Sequence, residues 1–182
     1  MDKTLYIIDS YGLIYRSYYA FISRPLVNEK NENVSALYGF FNNLLSLIQK
    51  NDVKYLAAAF DSKGKTFRHE MFSEYKATRQ KTPEDLHAQI PFIQEALEKA
   101  GIKVLQKEGF EADDIIASLC KKANENGWEC KILSSDKDLM QLVNEKTQMV
   151  KSDKTGGWIF SGIEEVQKEW GVLPEQMLDI LS

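Results

Sequence analysis

The sequence contains only two cysteines and two histidines among its 182 residues. Cys120 and Cys130 lack the spacing of zinc ligands and have no companion histidines, so we expect reduced thiols in the core rather than a disulfide or a zinc site. We expect His69 and His87 to lie at the surface, because neither has a second ligand at metal-binding spacing. The scarcity of both residue types argues against a site built from sulfur and imidazole.

Long apolar runs are also absent. No stretch approaches the length of a membrane span, and the opening segment MDKTLYIID is too short and too polar for a signal peptide. We therefore expect a cytoplasmic protein without a membrane partner, and a monomer. The chain shows no internal repeat and no disordered composition, and 182 residues that are 43% hydrophobic can bury the core of one domain.

The net charge is only −4, with a sequence pI near 5.3, and that overall balance argues against a nucleic-acid binder. The charge is unevenly distributed, however. Residues 63–81 hold six basic and two acidic residues, a surplus of +4, so the rest of the chain sums to −8. An acidic cleft beside a basic segment suits a metal-dependent enzyme that acts on a phosphate polymer. The basic residues are Lys63, Lys65, Arg68, Lys76, Arg79 and Lys81.

Apolar segments of strand type alternate with segments of helical period, which predicts an α/β fold. The strands are predicted at residues 4–9, 53–60, 102–105 and 130–133, followed by a hairpin of residues 148–150 and 157–160. Their continuous apolar character is typical of buried parallel strands. The helices are predicted at residues 10–21, 34–50, 83–100, 163–170 and 174–181, with another that begins near residue 111.

Carboxylates recur at the ends of the predicted strands. Asp9 and Asp61 each end a strand, and Asp136 follows the strand of residues 130–133, with Asp138 close behind it. Open α/β sheets place their sites beyond the carboxyl ends of the strands, so we expect these carboxylates to share one edge of the sheet. The pattern predicts a metal site there.

A second acidic group, Glu111, Asp113 and Asp114, opens a helical pattern without an intervening basic residue. Crowded carboxylates repel one another unless protons or cations neutralise them, and a divalent metal ion is the solution that we favour. The alternative is structural, because acidic residues stabilise the first turn of a helix and Asp is common in turns. The repetition at three strand ends favours the metal site.

The basic segment also carries the aromatic residues Phe67, Phe72 and Tyr75. Basic side chains bind phosphates whatever the base sequence, and aromatic rings stack on any base, so the combination predicts a channel for single-stranded nucleic acid. An ordinary surface helix with Phe67 or Phe72 in the core is the alternative. Arg16, on the first predicted helix, is either a phosphate contact or a solvated helix residue.

Five segments occur in the order of a known family: YIIDSYGLIYRSYYA, AAAFDSKGKTFRHEMFSEYKATR, GFEADDIIASL, SSDKDLMQLV and GVLPEQMLDIL. Together they resemble the 5′-nuclease domain at the N-terminus of bacterial DNA polymerase I, within the PIN-like superfamily of flap endonucleases and 5′–3′ exonucleases. The resemblance covers essentially the whole chain. It implies a PIN-like fold, with a central, mostly parallel sheet flanked by helices, and metal-dependent hydrolysis of DNA at a free 5′ end or 5′ flap, as in primer removal, repair and nick translation.

The resemblance also implies a metal site with two Mg²⁺ or Mn²⁺ ions. Oxygen ligands of high charge select such hard ions, and two ions about 4 Å apart can activate water and stabilise the leaving oxygen. The implied ligands are Asp9, Asp61, Glu111, Asp113, Asp114, Asp136 and Asp138.

The basic segment, residues 62–82, matches the family's arch, under or through which the 5′ single strand passes. Lys76 and Arg79 match catalytic residues that steer the scissile phosphate and stabilise its charge, while Tyr75 matches an aromatic that stacks on a base near the cleavage point. Arg16 matches a position near the substrate path. The candidate DNA contacts are Arg16, Lys63, Lys65, Arg68, Tyr75, Lys76 and Arg79.

The family continues into further aspartates and a helix–hairpin–helix that grips duplex DNA, whereas this chain ends at Ser182. We therefore expect residues 1–182 to be a single N-terminal domain, C-terminally truncated, with one ion position weakened. A polymerase domain in the same natural chain is a candidate partner. Two alternatives stay open: a DNA-binding module without catalysis, and a Mg²⁺-dependent small-molecule phosphohydrolase. The second usually needs another Asp two residues after Asp9, where Tyr11 stands.

Overall fold

The computed structural model describes residues 3–62, 64–72, 74–76, 81–153 and 155–181. Six strands form one sheet, and all of them lie close to the positions that the apolar pattern predicts. The strands are β1 (Thr4–Asp9), β2 (Tyr55–Ala59), β3 (Lys103–Leu105), β4 (Glu129–Leu133), β5 (Thr147–Ser152) and β6 (Trp158–Ser161).

The strand order is β3-β2-β1-β4-β5-β6. Every neighbouring pair is parallel except β5 and β6, which form the predicted antiparallel hairpin. The order runs outward in one direction from β1 to β3 and in the other from β4 to β6. The sheet therefore has its topological switch between β1 and β4, where sites of open α/β folds lie beyond the carboxyl ends of the strands.

Helices cover both faces of this sheet. Successive strand side chains point to opposite faces of the sheet. Along β1, Ile7 therefore packs on one face with helices α6 (Ala112–Glu125) and α7 (Ile163–Trp170). Tyr6 and Ile8 pack on the other face with helices α1 (Ser10–Tyr19), α2 (Ser35–Asn51) and α5 (Ile90–Lys99). Burial on both faces explains why the strands read as continuous apolar runs. The helices are α1 (Ser10–Tyr19), α2 (Ser35–Asn51), α3 (Phe67–Met71), α4 (Glu84–His87), α5 (Ile90–Lys99), α6 (Ala112–Glu125), α7 (Ile163–Trp170) and α8 (Met177–Leu181), with 3₁₀ turns at Lys137–Leu142 and Pro174–Gln176.

The prediction of one continuous helix over residues 83–100 is wrong. The structure divides it into α4 and α5, with Pro91 in the first turn of α5. A proline lacks the N–H that would bond to the carbonyl of residue 87, and its ring crowds that carbonyl, so a single helix cannot run through this point. The predicted last helix also begins differently, as a 3₁₀ turn that leads into α8.

The two cysteines are free and buried, as predicted, with Cys120 on α6 and Cys130 on β4. Among the described residues, no helix combines the length and apolar character that crossing a membrane requires.

Candidate active site

Asp9 lies at the switch point of the sheet, as the last residue of β1 and the N-cap of α1. Its side chain is buried, and it accepts hydrogen bonds from the Gly12 amide at 3.2 Å and the Ser134 hydroxyl at 2.6 Å. Burial raises the pKa of Asp9 above its ordinary value. A Cβ on Gly12 would lie 2.5 Å from Asp9 Oδ2, so the absence of a side chain there lets the carboxylate fold back over the helix start.

Asp61 lies two residues beyond the end of β2. Its Oδ1 accepts a hydrogen bond of 2.7 Å from the amide of Ala112, the first residue of α6. This bond joins the end of β2 to the start of α6 and satisfies one of the amides that a helix leaves unpaired at its N-terminus.

Asp113 lies in the first turn of α6 and lines the same cavity as Asp9 and Asp61. Burial raises the pKa of Asp113 to about 7, helped by the charges of Asp9, Asp136 and Asp61 and opposed by Lys76. No hydrogen bond or salt bridge joins its carboxylate to another residue in the described part of the chain. Asp113 is therefore an oxygen donor without a partner, close to three other carboxylates.

Asp136 completes this arrangement from the β4 side. It is the N-cap of the 3₁₀ turn Lys137–Leu142, accepts a bond of 2.9 Å from the Asp138 amide, and donates its own amide to Ser134 Oγ at 3.0 Å. Ser134 thus connects Asp136 with Asp9. The sequence reasoning missed Ser134, although its place directly after β4 in SSDKD is a signal for it.

Four of the seven predicted carboxylates line one cavity of about 680 Å³ at this edge of the sheet. They come from four different parts of the fold: the ends of β1 and β2, the first turn of α6, and the loop after β4. Basic and hydroxyl-bearing side chains line the same space. The lining includes Asp9, Asp61, Asp113 and Asp136 with Tyr11, Tyr15, Lys76, Lys81 and Thr82.

The donor chemistry of this cavity fits a hard divalent cation, since all four acidic side chains offer carboxylate oxygens and Asp113 has no hydrogen-bonded partner in the part of the chain that the structure describes. The spacing is wider than a metal coordination sphere: across the described residues, no three Asp, Glu, His or Cys side chains are close enough together to hold an ion. Binding would require these side chains to converge.

Glu111 and Asp114 do not line this cavity and instead contact basic side chains of the protein. Arg68 binds both oxygens of Asp114 at 2.8 Å, while Lys76 lies 2.8 Å and the Tyr75 hydroxyl 3.2 Å from Glu111. No basic residue lies among these carboxylates in the sequence, but Lys76 and Arg68 reach them from 35 and 46 residues away along the chain. Protein cations already neutralise Glu111 and Asp114.

A second cavity, of about 450 Å³, contains the remaining predicted ligand, Asp138. The 3₁₀ turn after β4 carries Asp138 away from the first cavity, and its side chain is exposed. Asp113 borders both cavities. The second also contains Arg68, Tyr75, Glu111 and Asp114.

The other predicted DNA contacts are dispersed. Arg16 is half-buried, with a lowered pKa caused by burial, and it binds Asn43 and Ser152, so it joins α1 to α2 and β5. Lys65 is exposed. Lys63 and Arg79 lie outside the described residues.

Phe67 and Phe72 are 37% and 60% exposed, so the alternative that placed one of them in the core is wrong. His87 is exposed as predicted, whereas His69 is half-buried. The reason is local: His69 Nδ1 accepts a bond of 3.1 Å from the Thr66 amide, which caps α3.

Comparisons with known proteins agree with this architecture. Residues 4–171 match the family model of the 5′-3′ exonuclease N-terminal resolvase-like domain. The chain is 48% identical over 180 residues to DNA polymerase I of Treponema pallidum, with 99% of this chain and 18% of that protein covered. It is 42% identical to the 5′-3′ exonuclease of Aquifex aeolicus, with 99% and 61% covered.

The fold also resembles that of the bacteriophage T5 D15 flap endonuclease, solved as a pseudo-enzyme-product complex with DNA and metal ions. The TM-score is 0.68 at 19% identity, with 97% of this chain and 64% of that chain covered. The chain thus spans about a fifth of the polymerase relative and less than two thirds of the exonuclease relative.

Proposed function

The chain belongs to the family of 5′-3′ exonuclease N-terminal resolvase-like domains, and on that premise we propose that it hydrolyses DNA phosphodiester bonds at a free 5′ end or 5′ flap. The observation that carries the proposal is the cavity at the switch between β1 and β4, which Asp9, Asp61, Asp113 and Asp136 line together and where Asp113 has no hydrogen-bonded partner among the described residues. Structural carboxylates at helix starts and turns do not need to share one cavity.

Divalent metal ions are part of this proposal. Asp9, Asp61, Asp113 and Asp136 would hold Mg²⁺ or Mn²⁺, and the T5 relative of the same fold was solved with metal ions. When bound, such ions lower the pKa of water and offset the charge that develops on the phosphate. Two ions are proposed, with Asp138 as a further candidate ligand from the second cavity.

The protein's own residues have separate roles. Ser134 holds Asp9 in place from β4, and Lys76, which lines the same cavity, would orient the scissile phosphate and offset its charge. Arg79 is proposed to assist Lys76, and Tyr75 to stack on a base near the cleavage point.

The basic segment, residues 62–82, is proposed as the arch that receives the single strand. The exposure of Phe72 supports this role, because a ring outside the core is available to stack on a base. Lys63 and Lys65 would contact phosphates. We further propose that the protein is a monomer in which this region forms one domain. It would act on DNA in the cytoplasm, and the natural protein would also carry a polymerase domain.

Cleavage of a labelled 5′-flap duplex tests this function. We expect cleavage near the flap junction with Mg²⁺ or Mn²⁺, none with EDTA, and none on a matched 3′-flap duplex. Tight DNA binding without metal-dependent cleavage would favour the DNA-binding module instead. Turnover of a simple phosphomonoester, with the flap left intact, would favour the small-molecule phosphohydrolase.

A further inference from the structure

Arg68 pairs its guanidinium group with carboxylates at the start of α6. Its Nη1 and Nη2 each donate to an oxygen of Asp114 at 2.8 Å, and Nη1 lies 3.7 Å from Glu111 Oε2. The guanidinium also lies over the Phe67 ring, 4.6 Å from its centre. A two-pronged pair of this kind fixes orientation as well as charge, which a single contact does not.

The oxygens of Asp114 are likewise occupied. In addition to the two hydrogen bonds from Arg68, Asp114 Oδ2 accepts a hydrogen bond of 3.0 Å from the Glu111 amide, which forms part of the cap of α6. Three N–H groups therefore share its two oxygens. Asp113, its neighbour in the same turn, has no such partner in the described structure. Adjacent carboxylates in one helical turn thus face different environments, and only one of them is free to bind an ion.

Two other contacts join the basic segment to the residues around the start of α6. The Phe67 amide at the start of α3 donates to the Gly109 carbonyl at 3.1 Å. Lys76 binds Glu111, the N-cap of α6, at 2.8 Å. The Arg68–Asp114 pair is therefore one of the contacts that hold the basic segment against the start of α6, and of these three it is the one that joins α3 to the first turn of α6.

We propose that Arg68 and Asp114 form a lock that holds α3 against the first turn of α6 and thereby places Lys76 beside the carboxylate cavity. Asp114 is then a positioning residue rather than an ion ligand, and Arg68 is a positioning residue rather than a DNA contact. The purpose of the lock rests on the proposed nuclease function, whereas its existence is a property of the protein without metal or DNA.

Hydrogen exchange without metal tests the lock itself. In Asp114→Asn and Arg68→Gln, we expect the amides of Phe67 and Phe72 to exchange about tenfold faster or more, because a charge-assisted fork is lost. The amides of β1 and β4 should keep their protection, which shows that the fold is intact. Glu70→Gln, an exposed change on α3, is the matched control. Unchanged exchange at Phe67 and Phe72 would overturn the proposal.

Mn²⁺ titration then separates positioning from ligation. We expect the Mn²⁺ dissociation constant of Asp114→Asn to stay within about threefold of the wild-type value, while Asp113→Asn weakens it about tenfold or more. An equal loss in the two variants would make Asp114 a ligand and overturn its positioning role. If Asp113→Asn binds Mn²⁺ as well as the wild type, the proposed metal site fails, and the exchange result still decides the lock.

DNA binding and turnover give the third readout. If Lys76 is misplaced, kcat falls while DNA affinity changes little. Both Arg68→Gln and Asp114→Asn should therefore lower kcat and leave the DNA dissociation constant nearly unchanged. A direct phosphate contact by Arg68 would instead weaken DNA binding in Arg68→Gln alone and reduce the salt slope by about one, and that outcome would overturn the proposal.

Discussion

Asp113→Asn should lower metal-dependent cleavage of a 5′-flap duplex about a thousandfold, since ion-assisted charge stabilisation supplies several kcal/mol and each 1.4 kcal/mol is tenfold in rate. Asp113 is the one carboxylate of the cavity without a hydrogen-bonded partner in the described structure, so no donor among the described residues competes with an ion for its oxygens. The measurement is single-turnover cleavage at saturating Mg²⁺ and again at saturating Mn²⁺.

The same substitution should stabilise the protein in EDTA. Folding raises the pKa of Asp113 from about 4 to about 7, so the ionised carboxylate destabilises the folded state above pH 7, and this penalty fades as the pH falls toward 4. Since the side chain is partly exposed, solvent screening reduces the gain to about 1–2 kcal/mol at pH 8.

Urea unfolding at pH 8 and pH 4 measures that gain, with Glu145→Gln as a control that removes one exposed carboxylate elsewhere. Loss of activity together with a gain in stability is the signature of a functional carboxylate. A variant that is both less stable and equally active would assign Asp113 a structural role.

Lys76→Ala should lower single-turnover cleavage by a factor of about 100 to 1,000, the usual cost of removing one preorganised group that stabilises developing charge. Lys76 lines the carboxylate cavity and pairs with the buried Glu111 at 2.8 Å. Its backbone takes a left-handed conformation, with φ of 59°, which a non-glycine residue keeps only when its surroundings hold it there.

DNA affinity should change much less than the cleavage rate in Lys76→Ala, because the charge of Lys76 is required chiefly at the transition state. Lys65→Ala is the contrasting variant, because it removes an exposed lysine of the same segment that is proposed as an ordinary phosphate contact, and it should weaken binding and cleavage equally. Equal losses of binding and cleavage in Lys76→Ala would place Lys76 among ordinary phosphate contacts.

The sequence predicted the sheet and the strand-end carboxylates because both follow from local patterns. Continuous apolar runs mark strands that are buried on both faces, and Asp9 and Asp61 close such runs, so their meeting at one sheet edge follows from parallel topology. The break before α5 was predictable too, because Pro91 is visible in the sequence and its effect on a helix is local.

Local patterns did not predict which acidic residues pair with basic side chains of the protein and which remain available to a metal ion. Arg68 meets Asp114 across 46 residues, and no periodicity encodes that pairing. Asp113 and Asp114 are identical in type and adjacent in sequence, yet the orientation of α6 gives one of them a fork partner and leaves the other facing the cavity. Asp138 likewise moves away because residues 137–142 form a 3₁₀ turn rather than an extended loop.

The central claim is that the carboxylates around Asp113 bind a divalent ion. Its most direct test is a Mn²⁺ titration of the DNA-free protein, followed by electron paramagnetic resonance, in the wild type, Asp113→Asn and Glu145→Gln. Saturable binding by the wild type and Glu145→Gln, weakened about tenfold or more in Asp113→Asn, is the predicted result. Equal Mn²⁺ affinity in all three proteins, or no saturable binding in any of them, would contradict the account.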